Sequence, residues 1–113
     1  MVTPISGAVV LVPFPFSDLS ASKLRPALVL ADVGNNDWIL CQITSKPYAD
    51  NKAIELKSSD FQSGTLKVVS YVRPGKLFTA NAGLMVAQSG VINKAKLKNV
   101  IDAVTELLKV SIA

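Results

Sequence analysis

Apolar positions cluster into short runs separated by small polar residues and prolines. Ala8–Val12 and Ala27–Leu30 are continuous apolar stretches rich in β-branched residues, with the length of buried strands. The pattern predicts strands at Gly7–Val12, Pro26–Ala31 and Trp38–Thr44, with the turn-rich connector Asp32–Asp37 between the last two. Pro13 and Pro15 keep Pro13–Phe16 out of any central ladder position. Ala53–Lys57 alternates weakly, as a strand with one wet face does. A short helical turn at Ser58–Phe61, stopped by Gly64, precedes a strand at Lys67–Val72 closed by Pro74-Gly75. Brief pairing at Leu77–Thr79, a turn at Asn81-Ala82-Gly83 and a last short strand at Leu84–Ala87 complete the β portion.

The end of the chain changes period. Asn93 can cap a helix whose apolar positions Leu97, Val100, Ile101, Val104, Leu107 and Leu108 recur at spacings of three and four. Lys94, Lys96, Lys98, Asp102 and Glu106 take the opposite face. Burying the whole stripe would be worth several times the ~1.5–3 kcal/mol of one large aliphatic side chain, so this helix needs a sheet or a second subunit to lie against. The expected fold is α+β and mainly β: a small, strongly bent antiparallel barrel of five or six strands with a C-terminal amphipathic helix, forming one domain over residues 1–113.

The stretch joining the first two strands holds the densest candidate chemistry. After Phe14-Pro15-Phe16 come Ser17, Asp18 and further small polar residues, then Lys23 and Arg25 at the foot of the second strand. Pro26 restricts Arg25 to extended backbone, so its guanidinium projects from a defined strand start. Polar and cationic groups at the mouth of a rigid sheet are where binding and catalysis concentrate.

Composition narrows what that chemistry can be. The 113 residues contain no histidine and one cysteine, Cys41, inside an apolar run. Ser-His and Cys-His nucleophile systems are therefore excluded, as are histidine-based or multi-thiolate metal sites. No metal and no cofactor is expected; catalysis must use Arg, Lys, Asp, Glu, hydroxyls or backbone amides. A lone buried thiol, no evident signal peptide and no apolar run of membrane-spanning length fit a reducing, cytoplasmic setting. The net charge of +4 mildly favours a polyanionic partner, though many soluble domains carry as much.

Gly7–Phe14 followed by Lys23-Leu24-Arg25-Pro26-Ala27-Leu28-Val29-Leu30 resembles the MazF/PemK toxins of type II toxin–antitoxin modules. Ile43-Thr44-Ser45, then Ser70-Tyr71-Val72-Arg73 with Lys76–Thr79, then the terminal helix, match that family in order. The resemblance implies an SH3-like barrel of the CcdB/PemK type, a homodimer, and a metal-independent endoribonuclease (an mRNA interferase) acting on single-stranded RNA. In such enzymes the substrate's own 2′-hydroxyl attacks, leaving a 2′,3′-cyclic phosphate and a 5′-hydroxyl. Carried over residue by residue, the catalytic candidates are Arg25, Thr44, Ser45 and Arg73. Phe16, Ser17, Asp18, Lys23 and Lys46 are the RNA-binding candidates. A cognate antitoxin is the implied protein partner, with operator DNA reached through it.

Where one branch of the family has an acidic residue two positions after this arginine, the chain has Gly75. A general base must then come from elsewhere, either Asp18 or an arginine acting through a shifted proton. A structural ion pair with Asp18 or Asp32 is the competing reading of Arg25. Two other functions stay open at this point: a CcdB-like gyrase-binding toxin, and a catalytically decayed dimer that binds only antitoxin and operator. Against the former, the only tryptophan is Trp38, whereas the gyrase binders carry one near the C-terminus.

Overall fold

Strand β1 (Ala8–Pro13) is apolar on both faces because it lies inside the sheet, paired antiparallel with β2 (Leu24–Gly34) on one side and β7 (Ala87–Ile92) on the other. The computed structural model describes residues 2–13, 23–47 and 49–112. Their remaining strands are β3 (Asp37–Thr44), β4 (Ile54–Leu56), β5 (Phe61–Gly64) and β6 (Ser70–Asn81). All pairings are antiparallel, in the order β4-β6-β3-β2-β1-β7-β5. Register shifts that leave extra residues on β2, β5, β6 and β7 add local twist, and the sheet curls into a half-barrel.

Alternation along the strands divides the apolar residues between two clusters. Leu28, Leu30, Cys41 and Ile43 join Val9, Leu56, Val72 and Ile92 in the main core, which Val100 of the helix caps. Ala27, Val29 and Leu40 turn the other way, into a second cluster with Ala8, Val10, Val12, Ala80 and Met85. Asn35 and Asn36, both with positive φ, make the two-residue hairpin turn from β2 to β3.

The mainly β fold with its terminal helix is as expected, but the described residues form seven strands where five or six are predicted, and further details differ. The predicted Lys67–Val72 strand begins only at Ser70, and it does not stop at Pro74-Gly75 but continues to Asn81, absorbing Leu77–Thr79. Cys41 pairs with Leu77 while Gln42 pairs with Arg73, so Pro74–Lys76 bulge out of the ladder and the missing N–H of Pro74 leaves no bond unmade. The turn expected at Asn81-Ala82-Gly83 is a 3-10 turn (Ala82–Leu84), capped by Asn81 Oδ1 accepting from Gly83 N at 3.0 Å, whereas of the predicted Leu84–Ala87 strand only Ala87 lies in a strand, as the first residue of β7.

Strand β5 arises where Gly64 suggested a stop. Gly64 adopts φ +64°, and a Cβ there would run into the Ser89 carbonyl. One on Gly90 would sit 2.5 Å from the Ser63 carbonyl oxygen and 2.9 Å from Phe61 Cδ2. The two glycines let the β5 and β7 backbones cross almost in contact.

Helix α1 (Lys94–Val110) begins as its cap predicts, with Asn93 Oδ1 accepting from Lys96 N at 2.8 Å. Its apolar stripe is only partly used. Val100 is fully buried, and Leu97 and Val104 pack against the core, but Ile101, Leu108 and Val110 are 40%, 59% and 60% exposed.

Candidate active site

The site forms where β2 begins and β3 ends. Arg25 pairs with Val12 of β1, and Ala27 pairs with Gln42 of β3. Carried two residues further, that antiparallel register sets Arg25 across from Thr44. Both line one groove of about 520 Å³, together with Ser45. The opposite wall comes from Thr65–Val68, the irregular segment after β5, and from Ser89 of β7.

Arg25 is exposed and forms no ion pair among the described residues. Asp32, one of its two proposed structural partners, accepts instead from Gly34 N at 2.8 Å. The groove thus presents two cations, Arg25 and Lys67, and no carboxylate among its described lining residues. Such a surface attracts an anion and offers it a planar fork of donors.

The Thr44 hydroxyl is held within its own turn. It donates to the Lys46 carbonyl at 3.0 Å and accepts from Lys46 N at 3.1 Å. Donating to a bound phosphate therefore means exchanging the Lys46 carbonyl for a phosphate oxygen.

Arg73 does not line this groove. It faces a separate cavity with Asp50, Asn51, Gly75 and Lys76. Its Nε donates to Asp50 Oδ2 at 2.8 Å and its Nη1 to Gln42 Oε1 at 3.3 Å, and the two charged side chains are only 19% and 15% exposed. The Arg73 hydrogen bond holds the Asp50 carboxyl below the usual carboxylate range, helped by the Lys52 amide and the charge of Lys76 and opposed by partial burial. The Cys41 thiol donates to the Arg73 carbonyl at 2.8 Å, and burial pushes it up to about 12, so it supplies no thiolate nucleophile.

Of the RNA-binding candidates, Lys23 and Lys46 are exposed but do not line the groove. Phe16, Ser17 and Asp18 lie outside the described residues. The wall residues Thr65, Leu66, Lys67, Val68 and Ser89 carry no motif, and Lys67 and Val68 read in the sequence as part of a strand. Among the described residues no three His, Cys, Asp or Glu side chains gather as metal ligands, and no helix is long and apolar enough to cross a membrane.

Set beside solved structures, this curled sheet with its terminal helix has the fold of small bacterial toxins. MazF from Deinococcus radiodurans superposes with a TM-score of 0.75 at 20% identity, covering 96% of this chain and 99% of that one. An endoribonuclease in complex with its cognate antitoxin from a mycobacterial species gives 0.73 at 14% identity, covering 95% and 96%. The Mycobacterium tuberculosis toxin MazF-mt6 gives 0.68 at 13%, covering 90% and 96%. Curated proteins give no significant sequence match. The profile of the PemK-like, MazF-like toxins of type II toxin–antitoxin systems matches residues 5–108. The chain belongs to that family.

Proposed function

We propose that this toxin is an endoribonuclease that cuts single-stranded RNA, with Arg25 and Thr44 acting on one scissile phosphate. The observation that carries this reading is their shared groove, which holds cations and hydroxyls and no carboxylate among its described lining residues. In-line attack by the 2′-hydroxyl gathers negative charge on the phosphorus oxygens, and donors already in place there lower the barrier. Arg25 supplies two such donors from a fixed strand start. Thr44 supplies a third once its hydroxyl proton leaves the Lys46 carbonyl, and Ser45 extends the polar rim. The 2′-hydroxyl adds to phosphorus, the P–O5′ bond breaks, and the products are a 2′,3′-cyclic phosphate and a 5′-hydroxyl. This chemistry asks nothing of a metal.

The family membership and the complexed neighbour support an antitoxin partner; contact with operator DNA through that partner is part of the proposal. An antitoxin with an acidic segment would suit the cationic groove. A homodimer is supported by the uncovered stripe of α1, where Ile101, Val104 and Leu108 border an apolar groove with Leu30, Ile39 and Leu77.

The test is cleavage of a mixed-sequence RNA by purified protein in EDTA, with end-group analysis of the fragments. Cleavage to cyclic-phosphate ends, lost in a folded Arg25→Ala, is the expected result. Intact RNA at high concentrations of folded protein would overturn the reading, and inhibition of gyrase supercoiling under those conditions would replace it with the gyrase-binding one.

A further inference from the structure

The connector between β3 and β4 begins inside the groove, at Ser45, and its next residue is the exposed Lys46. It is tied to itself by short turns. Asp50 N donates to the Pro47 carbonyl at 3.1 Å, and Ala53 N to the Asp50 carbonyl at 3.3 Å. Asp50 Oδ1 accepts from Lys52 N at 2.9 Å. Those bonds shape the connector but do not fix it to the sheet.

Two contacts do. At the near end the Thr44 hydroxyl brackets both backbone groups of Lys46. At the far end Asp50 Oδ2 accepts from Arg73 Nε at 2.8 Å. Arg73 is itself held from two sides, by Gln42 Oε1 at its guanidinium and by the Cys41 thiol at its carbonyl. Gln42 lies two residues before Thr44, on the same strand face. Asp50, Arg73, Gln42 and Thr44 thus form a continuous support from the connector back to the strand that carries the groove's hydroxyl.

We propose that Asp50 is a positioning residue for RNA binding: through Arg73 it holds the connector so that Ser45 stays in the groove and the exposed Lys46 stays beside it. The proposal rests on the RNA-cleaving reading above. It gives Arg73 a supporting part instead of a place at the phosphate. A connector released from Arg73 must be ordered again each time RNA binds, and that entropy is charged to binding. The loss should therefore appear in KM and leave kcat nearly untouched.

Asp50→Asn keeps the side chain's shape and removes its charge; Arg73→Lys keeps the charge and removes the Nε donor. Both are measured in the full chain by steady-state cleavage of a short RNA and, with no RNA present, by amide hydrogen exchange. For both variants KM should rise roughly ten- to a hundredfold, the scale of one lost charge-assisted hydrogen bond, with kcat within about twofold. Exchange should quicken in the connector and not in β1 or β2. Asp50→Glu should recover part of the KM, and Asp102→Asn, which breaks an exposed pair with Lys98 on α1, should change nothing.

Unchanged KM with faster exchange would overturn the proposal, because the connector would then be free without consequence for RNA. Unchanged exchange would overturn it too, as would a collapse of kcat at constant KM, which would place Asp50 in the chemistry. A wild-type chain that cuts no RNA would sink the nuclease reading and this proposal together, and is told apart by failing before any substitution.

Discussion

Two Arg-Pro dipeptides in this chain meet opposite fates. Arg25-Pro26 opens β2 with its guanidinium exposed at a groove, paired with no acid among the described residues. Arg73-Pro74 enters the bulge of β6 with its guanidinium half-buried against Asp50 and Gln42. The local sequence is the same, and both prolines push the arginine toward extended backbone. What differs is the partner brought from far along the chain. A carboxylate 23 residues away bonds Arg73, while the described residues around Arg25 are hydroxyls, apolar side chains and another cation. An arginine left without an acid keeps its donors for a ligand; one already bonded serves the fold.

That contrast predicts which variant loses what. Arg25→Ala should cut RNA cleavage by about 10²–10³-fold, the cost of removing one preorganised donor, with a melting temperature near that of the wild type. Calorimetry alongside a cleavage assay would check both halves; a large fall in stability would mean the two arginines are alike after all. Arg73→Ala should do the reverse in kind. It strands Asp50 without its main donor, costing about 1–3 kcal/mol and several degrees in Tm.

The acid limb sharpens the comparison. Because Asp50 is held below the usual carboxylate range, the stability it lends is fully present above that range and is lost as pH falls through the lowered value. The Tm gap between wild type and Asp50→Asn should therefore be constant near neutrality and close below about pH 4. Thermal melts across that range test it. The smallest effect concerns Cys41, whose thiol lies beneath Arg73. Pushed up to about 12 by burial, it should resist alkylation in the native protein near pH 8 and react once the chain is unfolded.

Much of this was legible in the sequence, and the rest was hidden for identifiable reasons. Continuous apolar runs located β1 and β2, and the spacing of Leu97, Val100 and Val104 located α1, because those signals report burial directly. Arg25 stood out because Pro26 follows it. β5 and β7 were misplaced because Gly64 and Gly90, ordinarily breakers, are required by a backbone crossing that only the folded chain reveals. The length of β6 was hidden by Pro74, which is harmless only because a bulge receives it. The groove's far wall was invisible since Thr65–Val68 and Ser89 come to the same groove as Arg25 only through the long-range pairing of β5, β7, β1 and β2. The clamp on Arg73 was missed likewise, with Asp50 lying in a polar connector that carries no pattern of its own.

The bare-backbone crossing at Gly64 and Gly90 has a consequence for how such a toxin can diversify. It brings β5, which leads into one bank of the groove, against β7 by main chain, while the groups proposed for the chemistry stand on separate strands. The exposed side chains at Thr65, Lys67 and Val68 can then be exchanged with little disturbance to the crossing or to those strands, while Leu66 stays packed against the core. A new preference among RNA sequences is thereby open to the lineage without rebuilding the cutting apparatus.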